Sequence, residues 1–184
     1  MSVFRPFNNS YSEKISKFYD GKPIKVVTFQ VTNDCNLNCS YCYQGYKNKK
    51  KLSFTLAKDF IDKLLNNEYS NYDFDKNSVQ GVVFEFIGGE PLLEINLIAK
   101  ICDYIEEQLI QLNHPWLYFH SFSLSTNGVL YFSPEVQNFI KKYKSFLFIN
   151  ITVDGDKELH DSCRVFPDGS PSYDLANAAA QDSL

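Results

Sequence analysis

Three cysteines stand close together in the run Cys-Asn-Leu-Asn-Cys-Ser-Tyr-Cys, at the spacing C-x3-C-x2-C. They are Cys35, Cys39 and Cys42, and they directly follow an apolar run over residues 24–32. Three thiolates on one short loop can hold three irons of a cubane iron–sulfur cluster and leave the fourth iron open. The spacing therefore favours a [4Fe–4S] cluster with one position free for a further ligand.

A zinc-binding structural module is the weaker alternative for these cysteines. A structural zinc site usually takes four Cys or His ligands, whereas only three are local here. Cys102 and Cys163 have no paired neighbour in the sequence, and His114, His120 or His160 would have to be brought in by the fold. Unligated thiols are a third alternative, and the apolar helical pattern around Cys102 predicts that this one is a core residue.

Segments typical of strands and of helices alternate along the chain. β-branched and aromatic runs predict four strands, and apolar residues at helical spacing predict three helices between them. Strict alternation is typical of an α/β fold with a parallel sheet and covering helices, arranged as part of a barrel or as a doubly wound sheet. The predicted strands cover residues 24–32, 82–87, 118–125 and 146–153, and the predicted helices lie around 56–65 and 95–109 and after Ser133-Pro134.

Polar or glycine-rich clusters follow each of the four predicted strands. They are the cysteine loop and the segments 88–91 (Gly-Gly-Glu-Pro), 125–128 (Ser-Thr-Asn-Gly) and 153–155 (Val-Asp-Gly). Ligands of parallel α/β folds bind at the carboxyl ends of the strands, so these clusters predict one shared site. A Gly-Gly pair after a strand is most often only a turn, but it also lets a ligand approach the backbone closely.

The bulk composition excludes several classes of partner. The 184 residues suffice for one ordinary domain, and the net charge of -4 argues against a nucleic-acid-binding surface. Lys47 and Lys49 to Lys51 form a local basic run, which is typical of a solvated loop. No apolar stretch approaches the roughly 20 residues of a membrane helix, and no signal core precedes the first strand. We therefore expect a cytoplasmic protein with reduced thiols and no membrane partner.

With these motifs, the chain resembles the N-terminal part of a radical S-adenosylmethionine (SAM) enzyme. The cysteine spacing with Tyr41 before the last cysteine matches that superfamily's signature, and Gly88-Gly89-Glu90-Pro91 matches its second motif. The resemblance is closest to the branch of anaerobic sulfatase-maturating enzymes and SPASM-type peptide maturases, and it spans roughly residues 24 to 174. The branch features are Phe29-Gln30-Val31-Thr32, Ser125-Thr126-Asn127-Gly128 and a pattern from Val153 to Asp174.

The resemblance implies that Cys35, Cys39 and Cys42 ligate a [4Fe–4S] cluster and that SAM chelates its fourth iron. One-electron reduction would then cleave SAM to methionine and a 5′-deoxyadenosyl radical that abstracts a substrate hydrogen. The residues implied to bind SAM are Gly88, Gly89, Glu90 and Pro91 around the methionyl ammonium, Tyr41 near the adenine, Ser125 and Asn127 at the ribose or methionine, Arg164 at the carboxylate, and Asp154.

The domain organisation departs from that of the family. We expect a lead-in over residues 1–22, the N-terminal part of a radical SAM core over 23–165, and a loop with a weak helical tail over 166–184. A family barrel has about six βα units, so the chain predicts a partial barrel without the cysteine-rich SPASM domain and its auxiliary clusters. The acidic residue that this branch uses for proton removal belongs to the missing part, so no catalytic base can be nominated.

Two functions remain open at this stage. The first is an enzyme, or its N-terminal piece, that modifies a peptide or protein side chain and takes electrons from a flavodoxin- or ferredoxin-type donor. Its reaction would be formylglycine-type oxidation, or thioether formation or another cross-link in a ribosomally made peptide. The second is a catalytically incomplete module that binds the cluster and SAM and needs a second chain to complete the barrel.

Overall fold

A computed structural model describes residues 21–45, 47–69 and 74–183 of the chain. Nearly all of the predicted lead-in over residues 1–22 lies outside this part. Strands β1 to β4 cover Ile24–Thr32, Gly81–Gly88, His120–Thr126 and Leu147–Ile151. Helices α1 to α5 cover Phe54–Leu65, Ile95–Gln111, Pro134–Tyr143, Lys157–Cys163 and Tyr173–Asp182.

The four strands form one parallel sheet in the order β1-β2-β3-β4. Each strand is separated from the next by a helix, which confirms the predicted α/β fold with covering helices. The helices begin where the sequence indicates: the Ser53 hydroxyl accepts a hydrogen bond from the Leu56 amide at 3.2 Å, and Pro134 is the first residue of α3. The carboxyl ends of all four strands therefore meet at one edge.

The core lies between one face of the sheet and the helices. Phe84 and Phe86 of β2 are fully buried on this face, and Phe29 of β1 stacks on Phe86 with 5.6 Å between ring centroids. The predicted apolar face of α2 is buried against them. Cys102 lies in that face with no exposed surface, so its predicted place in the core is confirmed.

The opposite face of the sheet carries both polar and apolar side chains, and part of it is exposed. Along β1, Val27 and Phe29 are buried, whereas Val26 and Thr28 are exposed. The Thr28 hydroxyl donates to the Glu85 carboxylate at 2.8 Å across the exposed side of the sheet. Parallel sheets are usually covered on both faces, so this partly exposed face is suited to line a cavity.

The structure corrects the start of the third strand, which the sequence placed at residue 118. A 3₁₀ turn at Pro115–Tyr118 precedes β3, and Trp116 at its centre is fully buried. The Trp116 indole N–H donates to the Val79 carbonyl at 3.0 Å, which fixes the loop beneath the sheet. Local residue patterns cannot reveal this bond, because its partners lie far apart in the chain.

The last helix, α5, packs beside the ends of β3 and β4. Its residues Ala176 and Ala179 are fully buried. Gly128, at φ +79°, leaves room for them, since a Cβ there would lie 2.9 Å from Ile151 and 3.3 Å from Ala179. Among the described residues, no helix combines the length and apolar character needed to cross a bilayer.

His114 gives the fold a pH dependence that can be measured. The side chain is buried, and burial together with the nearby Lys76 lowers its pKa from 6.5 to about 4. Between these two pKa values, His114 binds a proton in the unfolded chain but not in the folded protein. The free energy of unfolding should therefore fall as the pH falls from about 6.5 towards 4, by up to about 1.4 kcal/mol per pH unit.

We predict that His114→Asn reduces this slope. The His114 Nδ1 accepts from the Trp116 amide at 3.2 Å, and asparagine can keep this helix-capping acceptor but does not titrate. Urea unfolding at several pH values between 4 and 8 measures the slope in both proteins. Equal slopes would contradict the assignment of this proton to His114.

Candidate functional site

The second predicted cluster, Gly88 to Glu90, lies directly beside the entrance of the cysteine loop. The Gly89 amide donates to the Thr32 carbonyl at 2.9 Å, and the Glu90 amide donates to the Asp34 carbonyl at 2.8 Å. These bonds extend the pairing of β1 and β2 past the ends of the strands. The segment after β2 therefore fixes where the cysteine loop leaves the sheet.

The two glycines are required by this backbone contact. A Cβ on Gly88 would lie 2.6 Å from the Thr32 carbonyl oxygen, and one on Gly89 would lie 2.2 Å from that of Asp34. Both distances are too short for any other residue without a shift of the backbone. The sequence predicts that a ligand could approach these glycines closely. In the structure, it is the backbone at the start of the cysteine loop that lies against them.

Glu90 is almost completely buried, with 1% of its surface exposed. Its carboxylate accepts three hydrogen bonds, from the Thr126 hydroxyl at 2.6 Å and from the Asn127 and Leu92 amides at 2.8 and 2.9 Å. Burial raises its pKa, and these bonds act against that shift. Glu90 thus joins the end of β3 to the loop after β2, and about one of the four acceptor positions of a carboxylate stays open.

The cysteine loop is held in place mainly by backbone bonds. The Asn38 amide donates to the Val165 carbonyl at 2.7 Å, and the Ser40 amide donates to the Cys163 carbonyl at 2.9 Å. The segment after α4 therefore crosses the loop between its first and last cysteine. Asn127 approaches from β3, and its side-chain amide donates to Asn36 at 2.8 Å and lies 4.0 Å from the Cys35 sulfur.

All three loop cysteines are free thiols that are partly exposed. Burial raises the pKa of Cys35 and of Cys39, while Lys47 acts against this shift at both and Arg164 does so at Cys39. Metal ions bind thiolates, so an iron–sulfur cluster would provide the positive charge that such thiols need to ionise. Among the described residues, no three His, Cys, Asp or Glu side chains are close enough to hold a single metal ion. The three thiols on one loop fit the three protein ligands of a cluster with an open iron.

A buried guanidinium lies next to the cysteine loop. Arg164 is 9% exposed, and its Nη1 donates to the Tyr41 hydroxyl at 2.6 Å. The Tyr41 hydroxyl donates in turn to Asp154, whose carboxylate lies 3.9 Å from the Arg164 Nη1. The Arg164 Nε is buried and has no hydrogen-bond partner in the described part of the chain. An unpaired donor of this kind is costly unless a ligand satisfies it.

The remaining predicted residues lie at the same edge but have different surroundings. Ser125 is partly buried on the partly exposed face of the sheet and pairs in register with Asn150. Pro91 is buried as the first residue of a 3₁₀ turn at Pro91–Glu94. Asn127 and Asp154 contact the cysteine loop directly, whereas Pro91 supports the loop that carries Glu90.

Three residues shape this site although residue patterns alone did not indicate their roles. Thr126 donates to Glu90, Asn36 accepts from the Asn127 side-chain amide, and Lys47 donates to the Leu37 carbonyl inside the cysteine loop. Thr126 lies within a motif that the sequence had marked, but its partner is distant along the chain. Lys47 lies in the basic run that we expected to be solvated, and that expectation is wrong for this residue.

A family model described as a 4Fe-4S single cluster domain matches residues 19–162 of the chain. This range contains the cysteine loop, both motifs after β2 and β3, and the whole parallel sheet.

Two relatives show how much of a longer protein the chain covers. An uncharacterised protein from Methanocaldococcus jannaschii is 36% identical over 81% of this chain and 45% of its own length. The radical SAM cyclopropyl synthase TigE from Paramaledivibacter caminithermalis is 26% identical over 71% of this chain and 27% of its own length. The chain thus spans less than half the length of the relatives it matches.

A solved structure of anSMEcpe with bound AdoMet and a Cp18Cys peptide has a similar fold. The two chains superpose with a TM-score of 0.64 at 22% identity, over 86% of this chain and 39% of that chain. The similarity in fold therefore extends over most of the chain.

The contact at Gly89 can be tested by substitution. We predict that Gly89→Ala destabilises the protein by roughly 1–3 kcal/mol, because the added methyl group must push the cysteine loop away from β2. Gly45→Ala is the matched control, since a Cβ at that position meets nothing within 4 Å. Urea unfolding of the two variants measures the difference, and equal stabilities would contradict the contact.

Proposed function

Because the chain belongs to the family of 4Fe–4S single-cluster domains and to the radical SAM superfamily, we propose that it binds SAM at its cluster to modify a peptide or protein side chain. The observation that carries the proposal is the group of three free thiols beside a buried arginine with an unpaired Nε. The thiols suit the cluster, and the guanidinium suits a carboxylate. Arg164 would thus hold the carboxylate of a SAM molecule bound beside the cysteine loop.

Cys35, Cys39 and Cys42 would hold the cluster. Their loop is fixed at its start by Gly89 and Glu90 near Cys35, and in its middle by the end of α4 and the segment after it, on either side of Cys39. Such fixation lowers the entropic cost of bringing three ligands together. Low-potential chemistry also requires that the thiols stay reduced, which suits the cytoplasmic location that we include in the proposal.

Arg164 would bind the SAM carboxylate, because a guanidinium forms paired hydrogen bonds with a carboxylate. Tyr41 and Asp154 hold Arg164 in its present position. The open acceptor position of Glu90 and the carbonyls around Gly88 and Gly89 would receive the methionyl ammonium. Asn127 and Ser125, at the end of β3, would contact the ribose or the methionine part.

When bound, cluster and SAM supply a one-electron reductive cleavage that generates a hydrogen-abstracting species. The residues of this chain bind and orient these groups and limit the access of water. We propose that a flavodoxin- or ferredoxin-type protein provides the electron. Among the described residues, no side chain is assigned as the base that completes the reaction.

The substrate class rests on the relatives and on the partly exposed face of the sheet. The anSMEcpe structure contains a peptide, and TigE is named a cyclopropyl synthase. Thr28, Glu85 and Ser123 place hydrogen-bonding groups on a sheet face that leads up to the site. A peptide or protein segment would bind there, for formylglycine-type oxidation or for cross-linking of a ribosomally made peptide.

A second candidate is a module that binds cluster and SAM but needs a partner chain for turnover. The exposed face of β1, which includes the apolar side chains of Ile24 and Val26, favours it, because parallel sheets are usually covered on both faces. A second chain that completes the barrel would cover this face.

We predict that the chain, reconstituted anaerobically with iron and sulfide and reduced with dithionite, converts SAM to 5′-deoxyadenosine. The triple variant Cys35→Ala/Cys39→Ala/Cys42→Ala should bind no cluster and yield no product. Cys102→Ala is the control, because this thiol is buried in the core away from the loop. Mass spectrometry measures the product.

Each outcome of this experiment has a definite meaning. A brown cluster without product would favour the module that needs a partner chain. A wild-type chain that binds no iron would contradict both candidates.

The role of Arg164 predicts a specific binding defect. Arg164→Lys keeps the charge but removes the paired donors, so SAM affinity should fall roughly tenfold to a hundredfold. Cluster absorbance should stay unchanged, and Lys63→Gln, which alters a surface ion pair with Asp59, should bind SAM normally. Isothermal titration of the reconstituted proteins measures the affinity, and unchanged binding in Arg164→Lys would refute this role.

A further inference from the structure

Lys47 follows the third cysteine by five residues and turns back over the cysteine loop. Its ammonium group donates to the Leu37 carbonyl. The amide of the same Leu37 donates to the Cys35 sulfur at 3.4 Å. Leu37 thus links the two groups. Its carbonyl accepts from the Lys47 ammonium group, and its amide donates to the Cys35 sulfur.

Leu37, which accepts this hydrogen bond, is held in place by burial. Leu37 is 1% exposed, so its side chain holds the middle of the cysteine loop in the protein interior. Lys47 is partly buried, and in the described part of the chain no carboxylate forms an ion pair with it. Its positive charge therefore acts on the loop.

The charge acts on two of the three thiols. The Lys47 ammonium group reaches the Leu37 carbonyl, two residues along the loop from both Cys35 and Cys39, so it favours negative charge on their sulfurs. Arg164 contacts the same loop, where its Nη1 donates to the Tyr41 hydroxyl at 2.6 Å. Two cations thus contact the cysteine loop in a protein whose net charge is -4.

The neighbouring lysines have other surroundings. Lys49 is exposed, and Lys51 forms an ion pair with Glu94 at the 3₁₀ turn after β2. The basic run therefore contains one lysine that faces the cysteine loop and others that do not.

We propose that Lys47 is a positioning residue that sets the reduction potential of the cluster held by Cys35, Cys39 and Cys42. The inference rests on the proposed function, because it requires a cluster at these cysteines. One electron from a low-potential donor adds one unit of negative charge to the site. The fixed ammonium group stabilises this added charge, so it raises the potential and makes the electron easier to accept.

The test compares the 184-residue chain with three variants after anaerobic reconstitution. Lys47→Met removes the charge at similar side-chain length, Lys47→Arg keeps it, and Lys49→Met is the matched control in the same basic run. Titration with dithionite, followed by electron paramagnetic resonance of the reduced cluster, gives the midpoint potential without any need for turnover. Iron and sulfide per chain are measured in parallel.

We expect Lys47→Met to reduce the equilibrium constant for reduction about three- to tenfold, which is a shift of about -28 to -59 mV for one electron. Lys47→Arg and Lys49→Met should stay near the wild-type potential. A loss of cluster in Lys47→Met alone, with Lys47→Arg intact, would also support a role of the charge.

Three results would count against the inference or its premise. Equal potentials in wild type and Lys47→Met would overturn the role of Lys47 while the cluster assignment stands. Equal shifts in Lys47→Met and Lys49→Met would show a general surface effect and would also overturn it. A wild-type chain without a cluster would instead refute the proposed function.

Discussion

The contact between two backbone segments determines the geometry of the whole site. The chain after β2 lies so close to the end of β1 that Gly88 and Gly89 leave no space for a side chain. This contact fixes the point at which the cysteine loop leaves the sheet, and it brings Glu90 to the end of β3. Without it, the start of the cysteine loop would lose the two backbone hydrogen bonds that hold it beside Glu90.

Glu90 extends the same constraint across the sheet. Its buried carboxylate accepts from Thr126 and Asn127, and Asn127 in turn contacts Asn36 in the cysteine loop. The ends of β1, β2 and β3 are thus connected by a short series of hydrogen bonds. Because a buried carboxylate is costly without its donors, any change in this series would be transmitted to the thiols.

Much of the fold could be predicted from the sequence because its signals are local. The βα alternation, the start of α3 at Pro134 and the buried face of α2 follow from residue spacing and capping. The start of β3 could not be predicted, since it depends on the bond between Trp116 and Val79. The positions of the site residues follow from parallel topology, but their partners do not. Nothing near Lys47 in the sequence distinguishes it from Lys49, because only the folded loop places Leu37 within its reach.

The distribution of buried charge gives an independent reason to place function at this edge. Among the described residues, Glu90 is the only Asp or Glu that is buried, and Arg164 is the only Lys or Arg. Burial of a charge costs free energy, so proteins retain it mainly where partners or ligands compensate for it. The hydrogen bonds of Glu90 compensate its charge within the protein, whereas Arg164 keeps a donor without a partner. An anionic ligand would pair with this donor of Arg164. The donor lies beside the three thiols of the cysteine loop, which themselves need a positive partner.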